Sequence, residues 1–151
     1  MNFSRFLKYW LPVLVWIAVI FIGSSDLMSA EHTSRFLSPF LRWLKPDISA
    51  DAIAKVQLFV RKAAHLAEYA ILAILLWRAL RRGTHLPVKM SLLLIAVWLV
   101  CGIFAIGDEF HQSFVTSRTA SPHDVLIDIC GATIGLVMYL MLTARRNVRP
   151  V

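Results

Sequence analysis

The chain has 151 residues, 58% of them hydrophobic and only 17% charged, with a mean hydropathy of +0.67. A soluble domain of this length needs a largely polar surface, so this balance excludes one. The formal charge of +7 is divided between the flanks of apolar blocks, which speaks against a nucleic-acid face and for membrane orientation.

Four stretches have the 17 to 25 apolar residues that a helix needs to cross a bilayer. The first, Tyr9 to Ser25, follows Arg5 and Lys8 and tolerates Pro12 in its opening turn. Gly23-Ser24-Ser25 offers a small-residue cleavage site, but the long, aromatic-rich core favours a retained span over a signal peptide. Between this span and the second lies the long connection, Asp26 to Lys62. Within it, Phe36 to Asp47 mixes aromatic and basic residues and reads as a short amphipathic helix at the interface. Ser49 then serves as N-cap, with Asp51 in the first turn, for a helix that runs on into the second span, Ala63 to Leu80. The third span is Val88 to Gly107 and the fourth Val125 to Ala144. The expected fold is therefore all-α: a single-domain, integral membrane four-helix bundle with a long extracytoplasmic loop.

Charge sets the orientation. The two ends of the chain and the connection between spans two and three hold nine of the 16 basic residues and no acid. All nine acids fall on the other side. Arg81-Arg82 and Arg145-Arg146 abut their spans directly. Both termini are expected in the cytoplasm of a plasma-membrane protein, with the opposite loops outside. Cys101 and Cys130, both inside apolar segments, are expected to be buried free thiols, with a disulfide between them left open.

Ionisable residues gather at the outer end of three spans. On the second, Lys62, His65, Glu68 and Tyr69 share a sector of about 120° on a helical wheel. On the fourth, Asp124, Asp128, Gly131 and Gly135 form one stripe, and the GxxxG pair invites close approach of a neighbouring helix. The third span ends in Gly107-Asp108-Glu109-Phe110-His111-Gln112; one further helical turn puts Asp108 and Gln112 on one face. Arg118 and Ser121 lie in the connection that follows, where Ser121 or Asp124 can cap the last helix. A charged group in hydrocarbon costs roughly 2.5 to 3.5 kcal/mol on insertion scales. Several such groups at one level therefore mark a functional site rather than a structural tie.

The same residues resemble the VanZ-like family, named after an accessory protein of glycopeptide resistance. The shared pattern is K-x-x-H-x-x-E-Y, here Lys62, His65, Glu68 and Tyr69. A second block follows, with Glu109, His111, Gln112, Phe114, Arg118, Asp124, Asp128 and Gly131. The two blocks cover about half the chain in matching order and membrane context. Family members commonly carry Pro-Gly before the Arg, where Thr116-Ser117 stand here. The resemblance implies a membrane protein of the cell envelope, and its founding member is linked to lowered teicoplanin sensitivity.

The residues themselves suggest an outer-leaflet pocket for the head group of a membrane lipid or a lipid-linked envelope precursor. Lys62, Tyr69, Gln112 and Arg118 are the candidate binding residues. His65, Glu68, Glu109, His111, Asp124 and Asp128 are candidate acids and bases should chemistry follow binding. Two alternatives stand beside it. The imidazoles and carboxylates suit a metal-dependent phospholipid hydrolase, and His65, Glu68 and Asp128 suit a proton relay in a transporter. Cofactor requirement, catalysis and oligomeric state stay open at this level, and no nucleic-acid partner is expected.

Overall fold

The computed structural model describes residues 3–25, 30–84, 88–115 and 121–147. All regular structure among them is helical. Helix α1 (Phe3–Ser24) is followed by the amphipathic α2 (Ala30–Leu44). The long α3 (Ala50–Arg78) ends in a π-helical turn, Ala79–Gly83, and α4 (Met90–Gln112) and α5 (Pro122–Asn147) complete the chain. Four of these helices are long and apolar enough to cross a membrane, and the chain is a multi-pass membrane protein.

Local chemistry accounts for the boundaries. Ser49 adopts an extended backbone and its hydroxyl accepts a hydrogen bond from the Ala52 amide at 3.2 Å, capping α3 as expected. From Ala50 to Gly83 the helical run covers 34 residues, or roughly 50 Å at 1.5 Å per residue, against a hydrocarbon core of about 30 Å. The excess lies at the polar N-terminal end, where Asp51 and Lys55 form an exposed ion pair at 2.7 Å. At the start of α5, Pro122 occupies the first turn, where its missing amide costs nothing, and the Ser121 carbonyl accepts from the Asp124 amide at 2.8 Å. The third span continues helical through Gln112, five residues beyond its apolar stretch.

The core follows from small residues facing large ones. Tyr69, Leu72, Trp77 and Val97 are buried against Ala73, Ala105 and Ala132. The most extensive interface joins α3 to α5, which run parallel. A methyl group on Gly131 would lie 2.9 Å from the Leu66 carbonyl carbon, and one on Gly135 would lie 2.7 Å from the Ala70 Cα. Only glycine fits where two backbones approach this closely, as the GxxxG spacing anticipates. Facing outward are Leu14, Ile22, Leu92, Ile103, Met138 and Met141, an apolar exterior suited to acyl chains.

Both cysteines are free. Cys101 is buried in the core, but Cys130 lies on the exterior of α5, which corrects the expectation that both are buried. Cys130 precedes Gly131 by one residue, and the 100° step turns it away from the α3 interface.

Gly131→Ala and Gly135→Ala should each force α3 and α5 apart, at a cost of about 1 to 3 kcal/mol typical of overpacking. The thermal midpoint of the purified protein in detergent should fall in both variants, whereas Gly102→Ala, which meets open space, should leave it unchanged. Equal midpoints for all three would remove close backbone packing as the basis of the pair.

Candidate functional site

Three helices deliver their polar residues to one level. From the middle of α3 come Arg61, Lys62 and His65; from the last turns of α4 come Asp108, Glu109 and Gln112; from the first turns of α5 come Asp124 and Asp128. The stripe that carries Gly131 also carries both α5 acids, so the approach of the two backbones presses these carboxylates onto α3. Lys62 bonds to the Asp124 Oδ1, and the Arg61 Nη2 donates to Oδ2 at 3.1 Å. One turn further, the His65 Nδ1 meets the Asp128 Oδ1 at 3.1 Å.

The carboxylates are almost completely withdrawn from solvent. Asp124 and Asp128 are 0% exposed and Asp108 is 1% exposed. Asp124 is held by two cations and sits in the first turn of α5, where the helix dipole also favours negative charge. Glu109 accepts from the Ser121 amide at 2.6 Å, tying the end of α4 to the start of α5. Gln112 donates to Asp108 at 3.1 Å and to the Ser24 hydroxyl at 3.4 Å, which brings in the end of α1. The second oxygens of Asp108 and Asp128 and the Tyr69 hydroxyl have no hydrogen-bond partner among the described residues.

A cavity of about 380 Å³ opens on the other side of α3, toward α1 and α2. Its polar lining comes from Ser24, Thr33, Gln57, Arg61, His65 and Glu68, and its apolar lining from Ala54, Leu58, Val60 and Ala64. His65 thus stands between two compartments, bonded to Asp128 on one side and facing the cavity on the other. The Glu68 carboxylate reaches Gly23 of α1, while its backbone carbonyl accepts from the Trp16 indole at 2.9 Å.

Of the residues singled out from the sequence, Lys62, His65, Glu109, Gln112, Asp124 and Asp128 come together in the buried cluster. Glu68 lines the cavity instead, and Tyr69 is fully buried. His111 turns toward α1, edge-on to Phe21 with ring centroids 5.6 Å apart. Arg118 lies outside the described residues. Two members of the cluster escaped the sequence-based selection. Asp108 had shown itself through its i, i+4 relation to Gln112. Arg61 carried no such signal, because its partner Asp124 is 63 residues away.

Comparison with known proteins places this arrangement in a wider context. The family profile described as VanZ/LLP1 matches residues 9–143. An uncharacterized protein of Schizosaccharomyces pombe is 34% identical over 67 residues, which cover 44% of this chain and 35% of that protein. The chain thus spans about a third of the curated relative's length in the aligned segment. No solved structure matches it.

Asp124→Asn should destabilise the protein by about 2 kcal/mol, below the range for breaking a fully buried pair because both cations are partly exposed. Adding Lys62→Met should recover part of that loss, read as non-additivity in a double-mutant unfolding cycle in detergent. Strict additivity would mean that the Lys62–Asp124 pair contributes no coupling.

Proposed function

This chain belongs to the VanZ/LLP1 family, and on that premise we propose that its cavity receives the head group of an amphiphile, either a membrane lipid or a lipid-linked envelope molecule. The observation that carries the reading is the cavity itself, set between membrane helices with polar and apolar walls together. Arg61, which lines the cavity as well as holding Asp124, is a planar donor suited to a phosphate or carboxylate, and Gln57, Thr33 and Ser24 add neutral polar groups. Leu58, Val60 and the neighbouring alanines supply the apolar side against which a chain can lie. His65, with a carboxylate behind it and the cavity before it, occupies the position of a general acid or base. The same position serves recognition alone, and the site supports binding with or without turnover.

Orientation belongs to the same proposal. The asymmetry of basic residues supports cytoplasmic termini in a plasma membrane, which opens the cavity to the outer leaflet. In that leaflet the ligand class comprises anionic or zwitterionic envelope amphiphiles, and the family's association with glycopeptide sensitivity fits a role in envelope composition.

Two measurements test this. Native mass spectrometry of the purified protein should detect a retained phosphate- or carboxylate-bearing lipid, with several-fold lower occupancy per folded protein in Arg61→Ala and Glu68→Gln. Equal occupancy in all three proteins would exclude the cavity as the binding site. In a background with Cys101 and Cys130 replaced, a cysteine at Ser113 should react with an impermeant maleimide on intact cells. Labelling only after the membrane is opened would invert the proposed orientation.

A further inference from the structure

Four buried carboxylates share the cluster: Asp108, Glu109, Asp124 and Asp128. Arg61 and Lys62 both bond to Asp124, and His65 is the basic side chain that meets Asp128. Glu109 is held by the Ser121 amide. Among the described residues, Asp108 and Asp128 are left with a carboxamide and an imidazole, respectively, and each keeps one buried oxygen without a partner. Two carboxylates within 4.8 Å of each other and away from water repel strongly unless a proton or a cation lies between them.

Ligand atoms of His65, Asp108 and Asp128 all lie within 4.8 Å of one another, and all three residues are buried. Ligand atoms at about 2.0 to 2.2 Å from a zinc ion stand about 3.4 Å from one another, so binding would draw these three groups together. Tyr69, one helical turn along α3 from His65, is fully buried, and its hydroxyl has no partner among the described residues. An unsatisfied phenol in the interior is costly, and hydroxyl and carboxylate oxygens together make a site for a positive guest.

We propose that His65, Asp108 and Asp128 bind one divalent transition-metal ion of the zinc class. The donor set selects the class. One imidazole and two carboxylates match the mixed nitrogen and oxygen ligation of zinc, whereas calcium and magnesium prefer oxygen alone. A second triplet, His65, Glu109 and Asp124, also comes within 4.8 Å. It is the poorer candidate because Asp124 is already neutralised twice and Glu109 is engaged by a backbone amide. The inference stands apart from amphiphile binding, since it concerns the face of His65 that is turned from the cavity.

The test uses full-length protein in detergent, stripped with a chelator, re-equilibrated with Zn²⁺ and desalted. Elemental analysis should find about one zinc per chain, and the thermal midpoint should rise on zinc addition. His65→Ala and Asp128→Asn should each weaken retention at least tenfold, while Glu109→Gln should retain the ion. Should Asp128→Asn not melt cooperatively, Asp108→Asn, which leaves the His65–Asp128 contact in place, carries the same expectation. A cooperatively melting wild-type protein that retains no zinc would overturn the proposal. So would loss of the ion in Glu109→Gln with retention in Asp108→Asn, or equal retention in every variant.

Discussion

Everything distinctive about this bundle depends on how closely two parallel helices approach. Lipid offers no hydrophobic drive for helix association, so contact has to come from packing and polar pairing. Gly131 and Gly135 remove the side chains that would hold α5 away from α3, and the backbones meet at Leu66 and Ala70. Asp124 and Asp128 lie on the same stripe, so the same approach sets them against Lys62 and His65. Packing and electrostatics thus act on one geometric variable, the separation of α3 from α5.

A larger separation would strand carboxylates in a medium that cannot solvate them. The energetic asymmetry is severe, because an uncompensated buried charge costs several kcal/mol whereas a satisfied pair is close to neutral. The cluster is therefore a source of specificity more than of net stability. It selects one register of α5 against α3, and Glu109, through the Ser121 amide, fixes the end of α4 to that register. Gln112 extends the connection to Ser24, so that all four spans meet at one level.

Much of this was legible in the chain because membrane helices obey simple periodicity. Hydrophobic length located the four spans, Ser49 announced the start of α3, and the Asp124–Gly135 stripe identified its own packing face. A helical wheel orients residues only about their own axis, however, and says nothing of where neighbouring helices stand. Lys62, His65 and Glu68 share one sector, but that sector is wide enough to touch α5 at one edge and α1 at the other. Glu68 consequently lines the cavity while Lys62 pairs with Asp124. His111 follows the same logic, turning to Phe21 although Asp108 and Gln112 on the same helix turn inward. Arg61 was illegible for another reason: nothing local distinguishes a basic residue that will meet a distant acid from one that will meet water.

The anchoring of α1 differs in kind from that of α5. The contacts at Gly83 and at the Glu68 carbonyl are made by α1 side chains. An indole reaches the Glu68 carbonyl, and the side chains of Tyr9 and Trp10 rest on Gly83. Side chains rotate more readily than a glycine seam opens, so His65 stands between two kinds of contact. The charges lie on the glycine-packed side and the cavity on the side held by side chains. A guest bound there as proposed would press on side chains first, and only through them on the seam that sets the distance from imidazole to carboxylate.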